Sequence, residues 1–256
     1  MNKRSSKQPP LQTVERALNF LECVAGRESP PTVQQVSAEL GLNITTCYHL
    51  MRTLIGRGYL DRRPDLTLTL GPGVGALFNQ YRRSFNVSEK LSELVADLTR
   101  KSDETAFYST LEPGDRVILK VLVEGSQPLR VSGLYVGLTG REYTRAAGKA
   151  VLAHLDSERQ RDMVLKDLGD RTKAQQEDLL AALDREFEEI RRRGWAMDAQ
   201  TKQGVSAIGS PVFDKDGKVC GAVGIVAPTS RMTGAESERV REVLDAARQA
   251  TELISS

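Results

Sequence analysis

Histidine is almost missing from this 256-residue chain: His49 and His154 are the only two. That count leaves hardly any room for a metal centre built on imidazoles. The three cysteines, Cys23, Cys47 and Cys220, are odd in number and far apart. Such spacing predicts reduced thiols in a cytosol rather than a disulfide framework. No apolar run approaches the roughly 20 residues that cross a bilayer, so no membrane partner is expected. The opening MNKRSSKQPP is basic and polar with no apolar segment behind it, unlike a secretory signal. With 39% hydrophobic and 27% charged residues, the chain is also no match for a disordered, collagen-like or coiled-coil protein. What is left is an intracellular globular protein, expected in the cytoplasm without metal or cofactor. Its length suits one large domain or a small domain joined to a medium one.

The net charge of +2 hides an asymmetry. Residues 1–83 carry 11 Lys+Arg against 6 Asp+Glu, while the remainder holds 25 basic and 28 acidic residues. A basic N-terminal third on a mildly acidic body fits a nucleic-acid-binding module attached to something else. An uneven scatter of charge gives the same figures, so charge does not decide alone.

Residues 1–10 read as a flexible basic tail ending in Pro9-Pro10. Leu11, Val14, Leu18, Leu21 and Cys23-Val24 recur at helical spacing and predict a helix over 13–25, closed by Gly26. Thr32 can cap a second helix with Val33, Val36 and Leu40 inward, and Gly41 suits a left-handed C-cap. A third helix is expected over 43–57, with Ile44, Cys47, Leu50, Met51 and Leu54 as its apolar stripe. Tyr59-Leu60 and Leu66–Leu70 then alternate as short strands around a polar turn at 61–65. Three helices with a glycine-centred turn before the third, followed by a hairpin, describe a winged helix-turn-helix over 11–71. Any αα-hairpin can carry the turn itself; the hairpin and the charge favour DNA.

A linker helix is expected over 72–86, and residues 87–256 form the larger domain. It opens with a helix over 87–101. Strands are predicted at 105–111, 117–123, 129–132, 207–213 and 219–226, with hairpin turns at Glu112-Pro-Gly-Asp115 and Asp214-Lys-Asp-Gly217. Helices are predicted at 144–154, 175–193 and 236–254. Antiparallel hairpins flanked by helices make the fold class α+β, of a sensory type.

Several short segments, in order and spacing, resemble the isocitrate-lyase-regulator (IclR) family of bacterial transcription factors across nearly the whole chain. They are Val14-Glu-Arg-Ala-Leu18, Gly41-Leu-Asn-Ile-Thr-Thr46, Ala146-Ala-Gly-Lys-Ala150 with Leu152-Ala153, Gly204-Val205, Ser210-Pro-Val-Phe-Asp214, and Ala227-Pro228 with Ser230-Arg231. The resemblance implies a winged helix-turn-helix, a GAF-like effector domain, and a homodimer that pairs again into a dimer of dimers. The implied partners are double-stranded operator DNA and a small-molecule effector.

A recognition helix needs short polar side chains early, near base edges, and longer basic ones to grip phosphates. Asn43, Thr45, Thr46, Tyr48, His49 and Arg52 lie opposite the apolar stripe, and Arg62 and Arg63 belong to the wing. Lys3, Arg4 and Lys7 are candidates for a loose arm. Members of the family commonly carry a basic residue where Ile44 stands and an arginine where His49 stands. This chain therefore leans more heavily on Arg52 and the wing.

By the same resemblance, the effector pocket is expected around Leu134, Tyr135, Ala146, Ala147, Asp198, Val205, Ala207, Gly224 and Val226. The N-terminus of the 144–154 helix offers amides to an anion. Relatives that bind small keto acids tend to show hydroxyls or thiols at the positions of Ala207, Gly224 and Val226. The pocket here is more apolar and suits a larger, apolar or aromatic acid or amide; tight sheet packing is the competing explanation of the small residues. The acidic pair that members often carry after Asp198 is replaced by Gln200-Thr201, with one residue fewer before Gly204.

Other signals lead nowhere chemical. Gly71-Pro-Gly-Val-Gly75 lacks the buried strand and distant acid of a dinucleotide site, and Ala147-Gly-Lys149 lacks the rest of a phosphate loop. Arg191-Arg-Arg193 reads as a solvated helix end and Cys220 as a packed core residue. The competing functional class is an enzyme or small-molecule sensor whose N-terminal helices only dimerise. Catalysis would need a nucleophile and base together, and His154 has no evident partner.

Overall fold

The computed structural model describes residues 11–83, 87–128, 131, 133–168, 171–200, 204–233 and 236–255. The candidate arm at Lys3, Arg4 and Lys7 lies outside them, as do Thr201 and most of the strand expected at 129–132. The chain divides into two compact units, residues 1–84 and 85–256.

In the first unit, α1 (Gln12–Ala25), α2 (Val33–Leu40) and α3 (Ile44–Gly56) precede β1 (Leu60–Arg62), β2 (Leu68–Leu70) and α4 (Pro72–Arg83). Helix α2 starts with a reciprocal cap: the Thr32 hydroxyl accepts from the Gln35 amide, and the Gln35 side chain accepts from the Thr32 amide at 2.8 Å. It stops at Gly41, whose φ of +61° is costly for any residue with a Cβ. Around Phe20, Val36, Cys47, Met51, Leu60 and Leu68 the helices and the hairpin share one core. The hairpin is tied back to the α1–α2 connection, where the Leu68 amide donates to the Pro31 carbonyl at 2.8 Å.

Two expectations for this core need correction. Leu11, Val14 and Leu18 are 76%, 54% and 53% exposed, so the buried face of α1 is Phe20, Cys23 and Val24. Ile44 is likewise exposed, at the first turn of α3, where the helix has not yet reached the core. Both errors come from counting every apolar residue of an amphipathic segment as inward. The hairpin turn lies a little later than expected, after Arg62, with Leu66 held at φ +67°.

In the second unit α5 (Glu89–Ser102) leads into β3 (Thr105–Glu112) and β4 (Arg116–Val123). A 3-10 turn at Glu142–Thr144 and α6 (Ala146–Leu152) follow, then α7 (Ser157–Lys166) and α8 (Lys173–Arg193). The chain finishes with β5 (Ala196–Gln200), β6 (Val205–Phe213), β7 (Val219–Pro228), α9 (Thr229–Met232) and α10 (Glu236–Ser255). The helix expected over 144–154 is therefore only seven residues long. Elements α7, β5 and α9 have no counterpart in the sequence reading.

The five strands form one antiparallel sheet in the order β4-β3-β7-β6-β5. Alternation sorts its side chains cleanly. Ala106, Tyr108, Ile208, Val212, Val223 and Ile225 face α5 and α10 in one core. Phe107, Leu119 and Ala222 face the other way, into a core shared with α6, α7 and α8. Glycine lets α6 lie close on that second face: a Cβ on Gly209 would sit 3.0 Å from the Ala146 carbonyl carbon, and one on Gly148 would run into the Glu142 carbonyl oxygen.

Candidate functional site

On the N-terminal unit, the side of α3 away from the core presents Thr45, His49 and Arg52, all exposed. Asn43 stands at the helix start as its N-cap, the side-chain oxygen accepting from the Thr45 amide at 2.8 Å. Its oxygen is thus occupied by the helix, which leaves the amide nitrogen to face outward chemistry. Thr46 is half-buried. Tyr48 is at the flank: its ring packs on the core and its hydroxyl accepts from the Gln34 side chain at 3.4 Å. Helix α3 contains no acidic residue at all.

The wing completes this surface. Arg62 and Arg63 are exposed on β1 and the turn. The neighbouring Asp65 is folded onto Thr67, accepting from its hydroxyl at 2.6 Å and its amide at 3.1 Å. Those bonds, the hydroxyl's first, hold the Asp65 carboxyl below its ordinary range. Glu39 of α2 is paired with Arg27. Two of the carboxylates nearest in sequence are therefore engaged, while Arg52, Arg62 and Arg63 point to solvent.

A second face of this unit is apolar. Between α1 and α4 runs a groove of about 590 Å³ lined by Val14, Leu18, Leu21, Leu70, Val74 and Leu77.

In the second unit, a cavity of about 240 Å³ lies between the sheet and α6. The strand register builds one wall. Asp198 on β5 pairs with Ala207 on β6, which pairs with Val226 on β7, so the three stand in a row on one face. Phe107, Ser109 and Leu119 extend that face across β3 and β4. Ala146 and Ala147 of α6 form the roof, and Val131, Gly133, Leu134 and Leu138 close the side. This closing loop is pinned to β4, the Gly137 amide donating to the Leu119 carbonyl at 2.7 Å and the Leu119 amide to that of Leu138 at 3.0 Å.

Of the nine positions expected around this pocket, the structure brings Leu134, Ala146, Ala147, Asp198, Val205, Ala207 and Val226 to the cavity wall. Tyr135 is 53% exposed and turns outward at the bend that leads to Gly137. Gly224 does not reach the cavity either. A Cβ there would collide with the Ile208 carbonyl oxygen and lie 2.7 Å from the Phe107 ring. Its role is to give that ring room, and the ring, not the glycine, meets the cavity.

The sequence reading missed Arg145, the most polar group of the roof. It occupies the cap position of α6 without capping it. Its guanidinium reaches back to the Val117 carbonyl at 3.1 Å and to the Glu142 carboxylate at 3.5 Å. Burial pushes its pKa down, against the pull of Glu142. Glu142 is itself buried and accepts from the amides of Gly140 (2.9 Å) and Val117 (3.2 Å) and the Thr139 hydroxyl (3.2 Å). A signal was available: position 145 is where Ser, Thr, Asp or Asn would normally start the helix, and an arginine there has other business. The amides of a seven-residue helix are a weaker source of positive potential than this side chain.

Comparison with known proteins settles the relationship. Residues 13–64 match the IclR helix-turn-helix domain, and residues 79–255 match the C-terminal domain of the bacterial transcriptional regulator IclR. The chain belongs to the IclR family. It is 28% identical over 227 residues to the glycerol operon regulatory protein of Streptomyces griseus, covering 87% of both chains. It is 26% identical over 249 residues to the transcriptional regulator XynR of Escherichia coli K12, covering 93% of this chain and 95% of that one. An IclR-family regulator from Brucella abortus shares the fold, with a TM-score of 0.71 over 97% of this chain and 94% of that one at 17% identity. IclR-family proteins are transcriptional regulators, not enzymes, which removes the catalytic alternative. His154 fits that conclusion: its Nδ1 meets the Ala150 carbonyl at 3.0 Å and its ring lies edge-on to Phe213. Among the described residues no helix is long and apolar enough to cross a membrane, and no cluster suits a metal ion.

Proposed function

We propose that this IclR-family regulator reads operator DNA through α3 and the wing, and that occupation of the cavity under α6 changes its affinity for that DNA. The observation that carries the reading is the acid-free outer face of α3, flanked by exposed arginines whose nearby carboxylates are already engaged. Asn43, Thr45, Thr46 and His49 are assigned to the base edges and sugar-phosphate at the helix start, with Tyr48 as a flanking contact. Arg52 is assigned to a guanine or a phosphate, and Arg62 and Arg63 to the flanking backbone. The apolar groove between α1 and α4 is assigned to a second copy, because an exposed apolar patch of that extent marks an interaction surface. A two-fold dimer would then present two α3 helices to two half-sites, with pairing of dimers beyond it. Operator DNA places the protein in the bacterial cytoplasm.

The effector assigned to the cavity is an apolar or aromatic acid or related amide, held by Leu134, Ala146, Ala147, Asp198, Val205, Ala207 and Val226. It acts by binding one arrangement of the DNA-reading heads better than another.

The test is fluorescence anisotropy on a labelled duplex from upstream of the protein's own gene, with a scrambled duplex beside it. Native preference should weaken steeply between low and near-physiological salt. Arg52→Ala should cost about 10- to 100-fold in affinity. Genomic fragments that all bind equally weakly, with Arg52→Ala unchanged, would overturn the reading.

A further inference from the structure

We infer that Arg145 is the carboxylate anchor of the effector cavity, and that the ligand is a small aromatic monocarboxylate rather than an amide. The inference deepens the effector reading above and rests on it. Four observations converge.

The guanidinium makes its hydrogen bonds through Nη2 alone, and the one to Glu142 is long at 3.5 Å. Nε is buried and, among the described residues, meets no acceptor. A buried donor on a charged group is expensive to leave unpaired, and arginine does not escape by losing its proton. A carboxylate in the cavity supplies what is missing, a charged acceptor able to span two N–H groups of the planar fork. A neutral amide leaves the charge uncompensated.

Glu142 cannot fill that role. Its Oε1 is already held by two amides and a hydroxyl that fasten the loop to β4, so it serves as a fixed clip.

The remaining wall sets the body of the ligand. Phe107, Leu119, Leu134, Leu138 and Val226 are apolar. The volume of about 240 Å³ corresponds to roughly eight waters, below the roughly 300 Å³ at which drug-sized pockets begin. One ring and a short acid suffice. Asp198 faces the same space and sets the charge limit: a second carboxylate on the ligand would meet it.

The experiment is calorimetric titration of the full chain with benzoate, phenylacetate, their two amides, and terephthalate. Wild type should bind the acids about 30-fold or more tighter than the amides, and tighter than the dianion. Arg145→Met, which keeps an apolar stem, should abolish the acid-over-amide ratio. The unliganded variant should melt no lower than wild type, since a poorly paired buried charge has gone. Ala207→Phe, which fills the cavity, should remove binding of every compound. Benzoate binding unaffected by Ala207→Phe would show that the cavity is not the effector site, and the underlying reading fails. Loss of all binding in Ala207→Phe with an unchanged ratio in Arg145→Met would keep the cavity and overturn the anchor. Wild-type protein that binds neither acid below about 10 mM overturns the ligand class.

Discussion

At the scale of single residues, most of the informative side chains here hold loops in place. Asp65, Asp103 and Glu112 are each kept below the ordinary carboxylate range by hydrogen bonds to neighbouring side chains. Each therefore favours the folded state above its unfolded pKa and loses that contribution as pH falls through its folded one, in a window below about pH 4.5. His154 acts in a separate window. Burial pushes its imidazole below the usual 6.5, so the folded chain holds it neutral. The unfolded chain takes up the proton first, and stability should fall as pH drops from about 6.5. Thermal melts of wild type and His154→Gln between pH 7.5 and 5 check this: the variant's curve should be flatter over that interval. Parallel curves would show that His154 does not contribute. Cys220, half-buried with its thiol pushed up to about 11 by desolvation, packs beside the Val212 carbonyl at 3.4 Å as a core residue. The arginine run was less legible. Arg191 donates to the Ala153 carbonyl at 2.7 Å and Arg193 to that of Trp195, whose indole it also covers. Periodicity sees only a charged helix end there, because those partners arrive from other parts of the chain.

At the scale of elements, the sequence was most readable where local chemistry dictates structure. The Thr32 cap, the Gly41 stop and the hairpin turns at 112–115 and 214–217 all depend on near neighbours, and the elements around them stand where the residues put them. What failed depended on distant contacts. Helix α7, SERQRDMVLK, carries few apolar residues and is a helix because Asp156 caps it and Met163 and Val164 find the second core. Strand β5 exists through its pairing with β6, which nothing within Ala196–Gln200 announces. Arg145 belongs with these, since its meaning comes from Val117 and Glu142 and from the cavity beyond. Helix α1 failed differently: its apolar residues divide between an inner face and an outer one. If the outer face joins two copies, Leu18→Asp should weaken self-association by about 10-fold or more while the helix stays folded, because the side chain is already exposed. Sedimentation equilibrium beside circular dichroism measures both. A variant that associates as wild type does would remove the α1 face from the interface.

At the scale of the whole molecule, a basic unit and a mildly acidic one share a chain, and the family tells what each does: one meets DNA, the other an effector. The division of charge between residues 1–83 and the rest was readable from composition. The coupling between the units was not, since it is a difference in free energy between two states rather than a feature of either. One measurement tests it most directly: operator affinity by anisotropy at fixed salt, with and without saturating benzoate, on wild type and Ala207→Phe. The account predicts that benzoate shifts wild-type affinity by about 5-fold or more and leaves Ala207→Phe unmoved. Operator affinity that does not change with benzoate in wild type, although calorimetry shows the acid bound, would contradict it.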